Sequence, residues 1–223
     1  MIAFAALAFA AGCSGGVPGT DAGEVDGGAD SGDGGGTTGL HFAWYPDPVP
    51  PGEVEDDLRI DDVRLELRQL RVVGDAAPDD PRTSRDDLRL EWKDGAPAPA
   101  PLRFDTAPLG MYSQFEFRLD GGDDEYAYRI RGGVFLAGAW VPFEIEDEHS
   151  LAVSIDLDVE LELGETEVVD IDILLGDAVK SVDWSQVPLD DGRLKLEGED
   201  GEMVLLRDAL AAGFEMASGS SDD

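Results

Sequence analysis

The sequence predicts an all-β domain, an antiparallel β-sandwich with one or two short helices near its C-terminus. Three observations lead to this fold class. From Asp61 onward, apolar and polar residues alternate through most segments, and clusters of Gly, Pro and Asp separate those segments at short intervals. Helical spacing of apolar residues is confined to the region after Leu175. Strands that are each apolar on one face bury those faces most simply when one sheet packs on another.

The chain begins with an apolar segment that ends at its single cysteine. Residues 1–12, MIAFAALAFAAG, are all apolar or small, and Cys13 follows them. Such a run is typical of a secretory signal peptide and is too short to span a bilayer. The segment resembles a lipobox, although Ala10 replaces the favoured Leu and no Lys or Arg precedes the apolar run. We therefore expect cleavage before Cys13 and lipidation of its thiol.

The segment after Cys13 has the composition of a flexible tether. Residues 14–39 are almost wholly Gly, Asp, Ser, Thr and Ala, and so few apolar side chains cannot offset the entropy lost on ordering. The expected organisation is a signal peptide with the lipidated cysteine over residues 1–13, a disordered tether over 14–39, a β-sandwich domain over 40–216 and a frayed tail over 217–223. With Cys13 the only cysteine, we expect no disulfide, thiolate zinc site or cysteine nucleophile in the domain.

The first half of the domain is expected to contain four strands. The first lies in DDVRLELRQLRVVG, residues 61–74, where the apolar alternation changes parity between Leu67 and Leu70. A change of parity within one strand indicates a β-bulge, here near Arg68 and Gln69. A Pro- and Asp-rich loop is expected over residues 75–87. Shorter strands are then expected at residues 88–92, 102–104 and 111–119.

The second half continues the alternation. A strand is expected from Tyr126 onward, and residues 132–146 indicate a strand or hairpin interrupted at Gly138. The longest alternation covers residues 151–164, where seven apolar positions follow a period of two that a helix does not produce. A turn then leads to a strand at residues 169–173. We expect these last two strands to pair as an antiparallel hairpin with one acidic face.

Helical patterns appear only at the end of the domain. Residues 176–187 predict a short helix with Val179 and Val182 on one side. Residues 202–216 place Leu206, Leu210 and Phe214 at four-residue spacing, which predicts a final helix or a helix followed by a strand.

The formal net charge of −34, from 50 acidic and 16 basic residues, constrains the partners. A field of this sign repels nucleic acid and attracts cations and basic surfaces, so we expect no nucleic-acid partner. Three acidic turns, residues 120–125, 190–192 and 199–202, could ligate calcium because hard cations prefer oxygen ligands. None of them fits the EF-hand pattern, and ordinary β-turn chemistry also explains their Asp-Gly sequences. The candidate metal residues are Asp120, Asp123, Asp124 and Glu125 in the first turn and Asp190 and Asp191 in the second.

Other residue types offer weaker hypotheses. His149 follows three acidic residues and is a possible metal ligand or an exposed loop histidine. Carboxylates along residues 156–162 are a solvated sheet face, a cation-binding ladder or, least favoured, a source of the two unequal carboxylates that glycoside hydrolysis needs. Most aromatic residues are in phase with the core pattern. Trp44 and Tyr45, in the Pro-rich stretch AWYPDPVPP, are the exceptions and are candidates for ligand contact.

Four stretches carry a resemblance to a known group of proteins. They are VRLELRQLRVVG, APLGMYSQFEFRL, HSLAVSIDLDVELELGETEVVDIDILLGDAV and LRDALAAGFEM. In strand pattern and turn placement, residues 61–216 resemble bacterial cell-surface lipoprotein β-sandwich domains of unassigned function. The resemblance implies a β-sandwich on a lipid anchor and supplies no catalytic residues.

The leading functional prediction is a non-enzymatic binding or envelope-structural role for a lipid-anchored extracytoplasmic β-sandwich. Cys13 would hold it to the membrane, and Ser14 after the cysteine resembles the outer-membrane type. The partner is an unidentified protein, glycan or cation, and no organic cofactor is expected. The alternative is a module that binds calcium or another cation on its acidic surface. A hydrolase acting on a polymeric substrate is third.

Overall fold

The computed structural model describes residues 38–75, 77, 79–122, 126–199 and 201–217, which form two β-sheets and two helices. Cys13, the tether up to residue 37, the acidic residues 123–125 and the tail from residue 218 lie outside the described residues. The strands are β1 Gly39–Pro46, β2 Gly52–Glu55, β3 Leu58–Val73, β4 Arg82–Lys93, β5 Leu102–Phe104, β6 Gly110–Leu119, β7 Tyr128–Leu136, β8 Ala139–Asp147, β9 Leu151–Leu161, β10 Thr166–Ile173, β11 Leu189–Asp190, β12 Arg193–Leu196 and β13 Phe214–Met216. The helices are α1 Leu175–Lys180 and α2 Gly201–Ala212.

The smaller sheet has the strand order β13-β10-β1-β5. Strand β1 runs parallel to β10, with Gly39 opposite Thr166 and Pro46 opposite Ile173. The short strands β5 and β13 close the two edges in antiparallel orientation. The sheet therefore brings the beginning of the described chain beside a strand more than 120 residues later, a pairing that local sequence patterns do not encode.

The larger sheet is organised around β3, which is 16 residues long. Its main path is β11-β12-β8-β7-β3-β6-β9, while β2 and β4 also pair with β3. The first half of β3, from Leu58 to Leu65, pairs with β7, and the second half, from Leu67 to Val73, pairs with β6. One long strand thus joins two halves of the sheet.

The β-bulge predicted in this strand is confirmed. The register between β3 and β6 shifts by one residue between Arg68 and Arg71, and Gln69 has a backbone φ of 55°. This left-handed conformation costs a non-glycine residue about 1–2 kcal/mol. Because of the extra residue, both Leu67 and Leu70 point into the core although they are three positions apart.

Aromatic side chains hold the two sheets together. Phe42 of the smaller sheet stacks on Phe115 of the larger sheet, with the ring centroids 4.3 Å apart. Phe117 makes an edge contact with Phe214 at 5.2 Å, so β13 joins the same cluster. Pairs of this kind contribute about 0.5–1.5 kcal/mol beyond the apolar area that they bury. The alternation of β1 and β6 therefore encodes the contact between the sheets.

The helices cover the remaining part of the apolar face. Phe143 of β8 packs against Trp184, which follows α1, with the ring centroids 4.4 Å apart. The Tyr128 hydroxyl lies 3.6 Å from the Met203 sulfur of α2. Leu206 and Leu210, predicted to share one side of the final helix, are both fully buried. The predicted fold class, an all-β sandwich with two short helices near the C-terminus, is confirmed. Neither helix of the described chain is long and apolar enough to cross a membrane.

Two sequence-based expectations are wrong in detail. Strands β9 and β10 do not form a hairpin: β9 pairs with β6 in the larger sheet, and β10 pairs with β1 and β13 in the smaller sheet. Their apolar faces meet across the core, so the short connection between them crosses from one sheet to the other. In addition, β4 begins at Arg82, and the expected loop over residues 75–87 is correspondingly shorter.

Candidate functional site

A groove of about 580 Å³ crosses the outer face of the larger sheet beside the bulge of β3. Strands β3, β4, β6 and β9 line it, and this volume is in the range of pockets that hold small ligands. We call it the arginine groove. Its polar lining consists of Gln69, Arg71, Ser84, Arg85, Asp86, Glu116, Arg118 and Ser154.

Strand register places these side chains in rows across the sheet. Arg71 of β3 is opposite Glu116 of β6, and Glu116 is opposite Ser154 of β9. The neighbouring row sets Arg68 of β3 opposite Arg118 of β6. The alternate positions of β6 are buried, and this alternation directs the charged positions to the outer face. The pairing of three strands that are distant in sequence therefore assembles the groove.

The groove has one internal ion pair and one further outward guanidinium group, that of Arg118. The Arg71 Nε donates to Glu116 Oε2 at 3.0 Å, and Arg71 Nη2 contacts the same oxygen. The Arg118 Nε donates to the Ser150 hydroxyl at 2.9 Å, which leaves its terminal nitrogens unused by that bond.

Arg68 does not line the groove, because its guanidinium lies against Gly122 and beside Asp120. Arg85 is opposite the buried Leu70, and this register directs its side chain to the other face of the sheet. Arg118 is therefore the groove residue that can offer charged donors to a bound anion.

Asp120, a predicted calcium ligand, lies near this groove and is occupied by local contacts. Its carboxylate accepts a hydrogen bond from the Gly122 backbone N–H at 2.8 Å. That bond, aided by Ser150 and the charges of Arg68 and Arg118 and opposed by burial, lowers the pKa of Asp120 below its usual value. Its candidate partners Asp123, Asp124 and Glu125 lie outside the described residues.

The second predicted calcium turn is a tight hairpin between β11 and β12. Asp190 is opposite Arg193, and the two turn residues Asp191 and Gly192 have φ angles of 45° and 79°. These angles are typical of a two-residue hairpin turn, and both aspartates are exposed. In the described ranges, no three His, Cys, Asp or Glu side chains converge in a way that could hold a metal ion.

A second pocket, also of about 580 Å³, lies where β8 and β12 meet α2. Its base is a buried ion pair, in which Arg207 Nε and Nη2 donate to the two carboxylate oxygens of Asp147, each at 2.8 Å. Arg207 also donates to the Gly198 carbonyl oxygen at 2.7 Å. At the rim, His149 Nδ1 lies 3.2 Å from an oxygen of Glu199. These contacts fix α2 and the segment after β12 to the end of β8.

Electrostatics keep Asp147 ionised. Burial by itself raises the pKa of a carboxyl, but the hydrogen bonds from Arg207 and from the His149 backbone N–H outweigh it, and the pKa of Asp147 lies below its usual value. A carboxyl group whose pKa is lower in the folded state than in the unfolded state stabilises the fold at pH values above its unfolded-state pKa. This stabilisation is lost as the pH falls through the folded-state pKa.

Asp147→Asn is therefore expected to change the response of the protein to acid. Between pH 5 and pH 2, the wild type loses the contribution of the Asp147 carboxylate, whose unfolded pKa is about 3.9. The asparagine variant is less stable at pH 7 but loses less stability over this range. Urea unfolding at a series of pH values measures the difference, and parallel pH curves for the two proteins would contradict this assignment.

The aromatic residues differ in exposure. Trp44, singled out in the sequence as a candidate for ligand contact, is only 7% exposed and packs against Phe115 and Phe117, whereas Tyr45 is 50% exposed. Trp140 is 43% exposed, but it lies over Gly133, and the Arg59 guanidinium lies 5.0 Å from its ring centroid. The Trp140 ring therefore packs against Arg59 and covers Gly133 of the sheet.

Comparison of the chain with protein-family models, with curated proteins and with solved structures found no match. The candidate site consequently rests on the geometry of this chain alone. The sequence pattern did not predict the arginine groove. The available signal was the outward position of Arg71 and Arg118, but their convergence depends on the pairing of β3 with β6.

Proposed function

We propose that this protein is a lipid-anchored extracytoplasmic protein that displays a non-enzymatic, ligand-binding β-sandwich domain. The observation that carries the proposal is the order of its segments. An apolar run ends at Cys13, a Gly/Asp-rich segment follows, and the first strand begins at Gly39, where that composition ends. This order is typical of a secreted lipoprotein whose domain stands away from the membrane on a tether.

The arginine groove favours binding over catalysis. Its outward arginines, Arg71 and Arg118, stay protonated at all physiological pH values and do not act as general acids or bases. Glu116, a carboxylate in the groove, is engaged by Arg71. Charged donors of fixed protonation at the surface of a sheet are suited to holding an anionic group.

Incorporation of an alkyne-labelled fatty acid tests the anchor. We expect the full chain, expressed in a bacterium that processes lipoproteins, to acquire the label, because the Cys13 thiol is the acylation site. Cys13→Ser is expected to abolish labelling, whereas the neighbouring control Ser14→Ala retains it. A second version with two lysines inserted after Met1 supplies the positive charge that signal peptides carry. Absence of label from both versions, or equal labelling of Cys13→Ser, would overturn the anchor.

A further inference from the structure

We infer that two copies of this protein pair through strand β4, so that the larger sheet continues from one copy into the other. Among the described residues, β4 pairs only with β3, and no strand is hydrogen-bonded to its other edge. The unpaired backbone N–H and C=O groups along such an edge are a template for another strand. This pairing does not depend on the lipid anchor.

The second half of β4 is complementary to itself. Residues 87–93, DLRLEWK, can face a second copy in antiparallel orientation about a two-fold axis at Leu90. The residues that are then opposite each other across the two copies are Arg89 and Glu91, Asp87 and Lys93, and Leu88 and Trp92. Each charge meets its opposite, and the two-fold symmetry forms each contact twice.

The two faces of β4 agree with this register. Arg89 and Glu91 lie on the outer face of the larger sheet, whereas the buried Leu90 and Trp92 lie on its inner face. The positions that oppose each other across the two copies are both odd-numbered or both even-numbered. Outer side chains therefore meet outer side chains, and inner ones meet inner ones, as the pleat of a sheet requires.

The contacts within one copy leave these groups able to bind a second partner. The Arg89 Nε donates to a Glu66 oxygen at 2.5 Å, and the Lys93 Nζ donates to a Glu91 oxygen at 2.8 Å. A guanidinium group has five N–H donors, an ammonium group has three, and a carboxylate accepts through two oxygens. Each charged group can thus keep its neighbour in the same copy while it contacts the second copy.

Charge directs the association to this edge. The net charge of −34 makes two copies repel each other, but β4 carries four basic and three acidic residues. The edge strand on the other side of the sheet, β9, carries three carboxylates and no basic residue, so pairing it with itself would place like charges together. The edge strands of the smaller sheet, β5 and β13, are three residues long. Strand β4 is therefore the long edge at which repulsion between copies is weakest.

Sedimentation velocity of the full chain carrying Cys13→Ser, over a range of protein concentrations at physiological ionic strength, tests the pairing. We expect a monomer–dimer equilibrium that depends on concentration. Arg89→Glu and Glu91→Arg are each expected to weaken dimerisation by at least about tenfold, because each places like charges opposite each other at two symmetric positions. Arg103→Glu is the matched control, since it makes the same change of charge at an exposed position on β5 of the other sheet.

The double variant Arg89→Glu/Glu91→Arg separates pairing from folding. It restores opposite charges between the two copies, so dimerisation is expected to return. It does not restore the contact of Arg89 with Glu66 or the placement of Glu91 opposite Arg64 within one copy. Recovery of the dimer can therefore come only from the contact between copies. Circular dichroism confirms that each variant is folded.

Carbodiimide cross-linking, which joins a lysine amine directly to a carboxylate, gives a second measurement. Lys93 and Asp87 lie about 20 Å apart along one strand, so a direct amide bond between them forms only across two copies. We expect this cross-link in the wild-type dimer and its loss in Lys93→Arg, which keeps the charge without the amine. Four results would overturn the pairing: a monomer at every concentration, equal weakening by Arg89→Glu and Arg103→Glu, a folded double variant that stays monomeric, and a dimer that lacks this cross-link.

Discussion

Gly132→Ala is expected to destabilise the protein by at least about 3 kcal/mol and to abolish folding if the wild type is marginally stable. A Cβ at this position would lie 2.0 Å from the Arg59 carbonyl oxygen and 2.6 Å from the Phe143 Cζ. The first contact is with the backbone of β3, which cannot withdraw without breaking its pairing with β7. Glycine is required where two backbones approach this closely. Urea unfolding followed by circular dichroism measures the loss.

Gly133→Ala is the matched control for this prediction. A Cβ there meets the Trp140 and Arg59 side chains at 3.2 and 3.3 Å, and both are partly exposed side chains that can move. We expect a loss of less than about 1 kcal/mol, in the range usual for surface substitutions. Equal losses of unfolding free energy for Gly132→Ala and Gly133→Ala would show that β3 does not approach β7 closely at Gly132.

Arg207→Met is expected to cost about 3–5 kcal/mol, because it removes one partner of a buried ion pair and leaves the other charged. The Asp147 carboxylate is only 2% exposed and receives two hydrogen bonds from the guanidinium group. Without Arg207, this carboxylate keeps the backbone N–H of His149 as a donor but loses its counter-charge. Chemical denaturation at pH 7 gives the free energy of unfolding.

Arg193→Met provides the comparison. Arg193 donates to Glu144 at 2.7 Å, but Glu144 also receives a hydrogen bond from Arg131, and Arg193 is half-exposed. Exposed ion pairs contribute about 0–1 kcal/mol, so this variant is expected to lose less than about 1 kcal/mol. If Arg207→Met is no more destabilising than Arg193→Met, the Asp147 pair does not anchor α2 as described.

Local patterns predicted most strands between residues 61 and 173 and even an irregularity within one of them, but they did not predict β1, β2, β11 or β12. The parity change between Leu67 and Leu70 located the bulge of β3, because a strand that keeps one face buried must add a residue to change parity. Likewise, the four-residue spacing of Leu206 and Leu210 located α2. These features are visible in the sequence because each depends on which side of a single element is apolar.

Pairing partners could not be predicted in the same way. Alternation shows which face of β9 or β10 is buried but not which strand lies beside it, and the short connection between them suggested a hairpin. The partner of β10 is β1, at the opposite end of the domain. The candidate site was missed for the same reason, since Arg71, Glu116 and Ser154 become neighbours only through the pairing of three separate strands. Arg85 was also expected in a loop, whereas it lies within β4.

Mass spectrometry of the N-terminal peptide of the membrane-associated protein tests whether this β-sandwich is displayed on a lipid anchor. We expect a peptide that begins at Cys13 and carries covalently attached acyl chains, with residues 1–12 removed. A peptide that begins at Met1 and retains a free Cys13 thiol would contradict it.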